Sequence, residues 1–392
     1  MKILSLATVF PNPSEPGLGP FVHARLEALA RIADVRVVAP VGPFDYDNPA
    51  RRGLGRRSIP RLRQEAEIRQ IRHPAWIYPP GNGFVKGPLL AAQMLPRLAI
   101  LRRRFAFEVI DAHFLHPEGI GAALLAKALG VPFTVTMRGN ELDYSKRAPH
   151  RALMSRAARL AARVFPVSGE LGELAVALGA DRKRVRPIGN GVDSTVYRPW
   201  DSPPPRTGRR TVILSAGRIV EGKGFHYLIR ALKILVDGGA DAELQIAGES
   251  GRGLEDHRAT LSALAQSLGL AERVKFLGWT PPEELARRMS RADVFCLSSV
   301  REGWPNVLAE ALACGSPVVS TDVGDARRII GDQSRGFHVP SGDVEALAGA
   351  LVKALDRNWD RAGLSRFAHE RTWDRVARQI LGELEAVIAE EG

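Results

Sequence analysis

The strongest constraint on the fold is an alternation of short apolar runs with helical patterns, broken once by a proline-rich stretch. Strand-like runs occupy residues 2–10, 35–40, 109–114, 133–138, 164–168 and 185–188, with helix-spaced apolar residues between most of them. After a break over 199–210, containing Pro203, Pro204, Pro205 and Gly208, such runs resume at 211–216, 244–247, 274–277, 294–298 and 318–320. Strand–helix alternation requires crossover connections and so parallel pairing, and near-continuous Val/Ile/Leu runs suit strands covered on both faces. The chain of 392 residues is long for one domain and natural for two. The pattern predicts an α/β protein with two doubly wound parallel sheets, over 1–198 and 211–372, a linker over 199–210, and a final helix from 373 to about 390 within a closing segment 373–392.

Ligands of doubly wound sheets bind beyond the carboxyl ends of the strands, in crevices beside them, so the residues that follow each run carry the functional argument. Gly217 and Arg218 follow the run 211–216, and Lys223 and Gly224 stand at the mouth of the next helix. Two cations beside a helix N-terminus suit a diphosphate: arginine grips oxygens in a bidentate way, lysine adds a mobile charge, and the helix end supplies free amides. A solvated Arg and Lys in a turn is the competing reading. Glu302 and Glu310 bracket Gly303, Trp304, Pro305, Asn306, Val307 and Leu308 after the run 294–298, with Pro305 placed to start a helix and Gly315 to end it. Carboxylates there can accept hydrogen bonds from sugar hydroxyls, or simply face solvent.

In the first half, Asp111, His113 and His116 lie at a strand end, where His113 is either a ligand-facing group or a satisfied structural one. Gly17 and Gly19 between the first strand and helix allow close backbone approach to a ligand, or form a tight turn. Asn190 and Gly191 read as a turn before Val192 and Asp193. Asp45, Tyr46 and Asp47 sit in a polar loop and read as solvated. No His/Cys/Asp/Glu cluster has metal-ligand spacing, and no serine-nucleophile elbow is present. Cys296 and Cys314 lie in apolar surroundings and are expected to be buried free thiols.

Charge is unevenly placed. Residues 1–200 carry 30 Lys and Arg against 16 Asp and Glu, whereas the whole chain is +12, so the basic excess lies in the first half. An anionic partner is the natural inference. Arg51, Arg52, Arg56, Arg57, Arg61 and Arg63 form one cluster, and Leu89, Leu90, Met94, Leu95, Leu98 and Leu101 precede Arg102, Arg103 and Arg104. That amphipathic pattern fits an anionic bilayer surface, or an ordinary domain helix with a basic end. No uninterrupted apolar run is expected to span a bilayer, and the start of the chain has no signal-peptide layout. Nucleic acid is not indicated, because the basic stretches are not interleaved with stacking residues.

Taken together, the chain resembles the family 4 retaining glycosyltransferases of the GT-B fold. The resemblance rests on Ala216, Gly217 and Arg218 with Glu221, Gly222, Lys223 and Gly224, on the run from Glu302 to Glu310 and its continuation to Gly315 and Pro317, on Asn190 to Asp193, and on His113. It implies two Rossmann-like parallel-sheet domains facing across a cleft, the first taking the acceptor and the second the nucleotide sugar, with the last helix crossing back to the first. Arg218 and Lys223 would hold the donor diphosphate, Glu302 the transferred sugar, Glu310 the ribose, and Leu277 would lie near the base. His113 would sit near the reacting carbon, with Arg138 and Asn190 on the acceptor side. Gly17, Gly19, Gly217 and the segment 303–308 would complete the donor site. A UDP-sugar or GDP-sugar would be the substrate, with no cofactor and no metal. The acceptor would be a glycan or lipid-linked intermediate, at the inner membrane face of the cytoplasm. Two positions depart from many relatives: Arg138 stands where a histidine often precedes the glycine, and Trp304 where a phenylalanine is common. A nucleotide-sugar 2-epimerase of the same fold is the alternative enzyme, and a basic nucleic-acid-binding protein a more distant one.

Overall fold

The computed structural model describes residues 1–41, 59–65, 67–79, 83–200, 208–250 and 257–391. Asp45, Tyr46, Asp47, Arg51, Arg52, Arg56, Arg57 and Pro203 to Pro205 lie outside the described residues. The chain divides into two compact units, Met1–Asn190 with Trp373–Gly392, and Gly191–Thr372. The division falls before the expected linker because residues just after it bond within the second unit. The amide of Val192 donates to the Arg371 carbonyl at 2.9 Å, and that of Trp200 to Ser290 Oγ at 3.2 Å.

The first unit holds β1 (Lys2–Leu6), β2 (Asp34–Val38), β3 (Leu62–Arg63), β4 (Gln70–Arg72), β5 (Val109–His113), β6 (Phe133–Met137) and β7 (Arg163–Pro166). Their order is β3-β4-β2-β1-β5-β6-β7, and every pairing is parallel except β3 with β4. β5 and β6 are buried along their whole length, as central strands covered on both faces are, although they carry Asp111, His113, Thr134 and Thr136. The run 185–188 does not become a strand. Val185 makes an isolated bridge to Val164, and Pro187 has no amide with which to continue a ladder.

The helix Trp373–Glu391 belongs to this unit. Val376, Ala377, Ile380 and Leu384 recur at helical spacing and enter the core beside Phe10, Leu26 and Leu29. Arg163, nearly buried, pairs with Glu383 at 3.1 Å and with Glu390.

The helical segment Gly83–Arg104 is long and apolar enough to cross a membrane by length and composition. Its inner face is nonetheless built into the unit: Gly87, Leu90, Met94, Leu98 and Leu101 are buried.

The second unit holds β8 (Thr211–Ala216), β9 (Ala242–Ala247), β10 (Val274–Gly278), β11 (Val294–Leu297), β12 (Val318–Thr321) and β13 (Gly336–Val339), ordered β10-β9-β8-β11-β12-β13 and all parallel. Helices Phe225–Asp237 and Val344–Asp356 bury Leu228, Leu232, Leu347 and Leu351 against this sheet's core. Cys296 and Cys314 are buried free thiols, and burial pushes both above the usual thiol range.

Candidate functional site

Each sheet has one point where the winding direction reverses, between β8 and β11 in the second unit and between β1 and β5 in the first. Ligand crevices open at such points. In the second unit the loops after β8, β9 and β11 meet backbone to backbone. A Cβ on Gly248 (φ +146) would lie 1.8 Å from the Gly217 carbonyl oxygen, and one on Gly224 (φ +64) 2.0 Å from that of Ser298. Only glycine permits both approaches.

This packing brings Lys223 and Glu302 together from loops 79 residues apart, with Nζ donating to Oε1 at 2.5 Å. Ser299 Oγ donates to the same Oε1 at 2.7 Å, and Thr321 Oγ1 fixes the Ser299 carbonyl at 2.6 Å. The Lys223 stem runs past Gly217, where a Cβ would touch Cδ at 3.5 Å. Both charges are largely shielded, with 22% and 15% of their side chains exposed. Arg218 is exposed and has no ion pair among the described residues, so its guanidinium is available to an anion.

The helix Asn306–Ala313 begins after Pro305 with no side-chain cap, so that its N-terminal end stands beside Gly303 and Trp304. The side chain of Leu308 is wholly buried and its amide already bonds to the Pro305 carbonyl at 3.1 Å, so it supports the segment from the core side. Val307 and Asn306 are half-buried. Trp304 is buried, its Nε1 has no partner, and the Arg371 guanidinium lies 5.3 Å from its ring centre. Burial raises the Glu310 carboxyl to about 7; the nearby Tyr197 hydroxyl opposes this and Asp193 adds to it. Leu277 and Phe276 are half-buried on β10, with Trp279 exposed just beyond the strand end.

In the first unit a buried polar chain lies under the ends of β5 and β6. Arg25 pairs with Asp111 at 3.0 Å, and Thr134 Oγ1 donates to the same carboxylate at 2.9 Å. Burial alone would raise the Asp111 carboxyl, but Arg25, His113 and Thr134 hold it well below the usual range. His113 is wholly buried and accepts from Arg138 Nη2 at its Nδ1 at 3.0 Å, while its Nε2 lies 3.5 Å from Asp111. Burial lowers its pKa to about 4, with Arg25 and Arg138 acting in the same sense against Asp111. A guanidinium cannot accept a hydrogen bond, so the neutral ring carries its proton on Nε2. Arg138 Nη1 also donates to Asn190 Oδ1 at 3.1 Å, and the guanidinium lies 5.0 Å from the Phe21 ring centre. Desolvation, then repulsion from Arg25, lower the Arg138 pKa to about 9. The three residues expected on the acceptor side are thus one connected group. Gly19 (φ +65) caps the helix Pro20–Ala30 and presses on Val9, whereas Gly17 is exposed with nothing near it. Both lie in the first unit, apart in sequence and unit from the other expected donor residues.

Several residues escaped sequence reasoning. Asp111 was placed with His113 at the strand end but given no role, although the two-residue spacing puts both on one strand face. Arg25, Glu118, Glu141, Tyr197 and Gly248 carried none. Glu141 is buried and accepts from the amides of Leu115, Arg138 and Gly139 at 2.9, 3.1 and 2.8 Å, tying the loops after β5 and β6 together.

Residues 17–191 match the family described as glycosyl transferase 4-like domain, and residues 199–371 that described as glycosyl transferases group 1. The chain is 27% identical to TuaC of Bacillus subtilis (strain 168), named for teichuronic acid biosynthesis glycosyltransferase activity, over 95% of this chain and 90% of that protein. It is 36% identical to the phosphatidyl-myo-inositol mannosyltransferase of Mycobacterium leprae (strain TN), over 54% of this chain and 55% of that protein. Among solved structures, the sucrose-phosphate synthase of Thermosynechococcus elongatus aligns with a TM-score of 0.76 at 19% identity over the whole of both chains. HepE of Anabaena, solved in complex with UDP, aligns with a TM-score of 0.73 at 20% identity over 98% of this chain and all of that one. These similarities do not favour the epimerase reading. With both halves matched and both sheets in place, the chain belongs to the family 4 glycosyltransferases, built on the GT-B fold of two Rossmann-like domains.

Proposed function

We propose that this glycosyltransferase moves a sugar, with retention of anomeric configuration, from a UDP- or GDP-sugar to a lipid-linked or polysaccharide intermediate at the cytoplasmic face of a membrane, without a metal ion. The Lys223–Glu302 pair at the β8/β11 switch point, with Arg218 free beside it, is the observation that carries the donor half. Before donor binding, Lys223 is held by Glu302. The diphosphate then draws Lys223 and Arg218, and Glu302 turns to the hydroxyls of the transferred sugar. As the bond from the anomeric carbon to the phosphate oxygen breaks, the two cations and the positive end of the helix Asn306–Ala313 stabilise the charge on the leaving diphosphate. The acceptor oxygen bonds to the same face of the carbon, and its proton passes to the departing phosphate oxygen. Glu310 takes the ribose.

Arg218 and Lys223 together bring to the diphosphate the positive charge that a divalent ion would otherwise supply. The complex of HepE with UDP supports a uridine nucleotide as one donor.

The acceptor half rests on a groove of about 1090 Å³ in the first unit. Met94, Leu98 and Leu101 form its apolar floor, and Arg61, Arg97 and Arg104 its rim. An apolar trough edged with arginine suits an acyl or isoprenoid chain with a phosphate at its end.

Lys223→Ala should lower turnover by roughly 100- to 1,000-fold with the circular dichroism spectrum unchanged; full turnover would remove the donor assignment. Proton NMR of the product should show the anomeric configuration of the donor, and an inverted product would refute retention. Co-sedimentation with anionic vesicles at low salt, lost at high salt, is expected for the membrane reading, which the absence of any binding would refute.

A further inference from the structure

A second cavity, of about 270 Å³, lies at the switch point of the first sheet, between the loops that follow β1 and β5. Three residues of its lining each carry a buried polar atom with no partner: Glu118 Oε2, His116 Nδ1 and Asn140 Oδ1. Glu118 and His116 are 0% and 1% exposed, so neither atom is satisfied by bulk water. Orphaned buried polar atoms are costly, and several around one cavity mark the place of a hydrogen-bonding ligand.

Glu118 is held for such a task. Its other oxygen, Oε1, accepts from the Thr8 amide at 2.9 Å and the Thr8 hydroxyl at 2.5 Å. This fixes the carboxyl across the two loops and leaves Oε2 as the free end. No basic side chain pairs with it among the described residues, and burial raises its pKa to about 7. The loop is also strained. Phe114, which lines the same cavity, has φ +73, the one positive φ outside glycine among the described residues. Strain of this kind persists where surroundings impose it, commonly at binding sites.

One wall is aromatic. Trp76 and Tyr78 stand with ring centres 4.5 Å apart, and Lys86 Nζ lies 4.2 Å from the Tyr78 ring centre. Apolar ring faces beside unpaired hydrogen-bonding groups match a pyranose, whose C–H face packs on aromatics while its rim of hydroxyls seeks polar partners. The cavity shares Val41 and His73 with the arginine-edged groove. One amphiphile can therefore place its sugar in the first and its chain in the second.

We propose that this cavity is the acceptor's sugar subsite and that Glu118 is its specificity-determining residue, with Oε2 bonding a ring hydroxyl and Trp76 giving the stacking face. The inference rests on the reading that the first unit takes the acceptor.

Saturation-transfer NMR with the methyl glycosides of glucose, galactose, mannose and N-acetylglucosamine tests it on the full chain. At least one glycoside should bind in the millimolar range, and one member of an epimeric pair should be preferred. Glu118→Gln keeps the size of the side chain and the Thr8 contacts, and should weaken the preferred glycoside roughly tenfold and reduce the preference between epimers. Trp76→Leu should weaken all the glycosides together. No binding by the wild type, or binding that both variants leave unchanged, would overturn the proposal. Thermal shifts with UDP and GDP on the same samples separate this inference from the donor reading: a nucleotide shift without glycoside binding sinks only the subsite, whereas glycoside binding without a nucleotide shift sinks only the donor assignment.

Discussion

Gly248→Ala is the substitution whose effect the structure fixes most closely. The new Cβ would sit 1.8 Å from the Gly217 carbonyl oxygen, and contacts under 3.0 Å are essentially never seen, so the two loop backbones must part by at least 1.2 Å. The movement cannot be absorbed by a side chain, because the neighbour is backbone. Gly217 donates to the Ala247 carbonyl at 2.9 Å, and Gly248 to the Gly278 carbonyl at 2.8 Å. Losing those two bonds costs about 2 kcal/mol, and holding alanine at φ +146 adds about 1–2 kcal/mol. The expected destabilisation is therefore about 3–4 kcal/mol, close to a 10 °C fall in Tm for a unit of this size. Urea unfolding followed by circular dichroism measures it. Gly349→Ala is the matched control: it lies on the exposed face of the helix Val344–Asp356 with nothing within 4 Å of a new Cβ, and should gain about 0.5–1 kcal/mol. The same displacement shifts the Gly217 loop against which the Lys223 stem packs, so Gly248→Ala should also weaken nucleotide binding. A Gly248→Ala protein within about 0.5 kcal/mol of wild type would refute the argument, since that is the range of an ordinary surface substitution.

Arg25→Leu should cost about 3–5 kcal/mol, because it leaves Asp111 charged and buried with only Thr134 and His113 beside it; the double substitution with Asp111→Leu should recover part of the loss in urea unfolding, and equal losses in both would remove the pairing argument. The pH dependence of stability follows from two shifts of opposite kind. The raised pKa of Glu118 gives a contribution that is complete below about 4.5 and is lost as pH rises through about 7, whereas the lowered pKa of His113 gives one present above 6.5 that is lost as pH falls through about 4. Glu118→Gln should therefore flatten the decline in stability between pH 4.5 and 7, by about 3 kcal/mol at most, and an unchanged slope in chemical unfolding would refute the burial argument.

The loops proposed to take the donor were legible because the residues that define them are local in sequence. Gly217, Arg218 and Lys223 follow a six-residue strand whose bounds, Thr211–Ala216, match its apolar run, and the glutamates bracket a helix start marked by Pro305. The first unit was harder to read. Glu118 meets Thr8 across 110 residues of sequence, and Arg25 meets Asp111 across 86, so neither pairing leaves a pattern within a window of the chain. β3 and β4 are two and three residues long and carry arginines, which hides them from any alternation test. The same distance hid Gly248, because nothing in its own neighbourhood announces that the Gly217 carbonyl will press against it. The basic excess of the first half was plain in the composition, yet the groove that Arg61, Arg97 and Arg104 line appears only once the unit is folded.

The most direct test of the account is a thermal-shift panel of UDP, GDP, ADP and their common sugar conjugates on the folded protein, without added metal. Binding to the native state raises Tm by mass action, about 2.7 kcal/mol of stabilisation at a hundredfold excess over Kd. A selective shift with one nucleotide and its sugar conjugate, abolished in Lys223→Ala, is the expected result. No shift with any of them at millimolar ligand would contradict the central claim that Arg218, Lys223 and Glu302 form a nucleotide-sugar site.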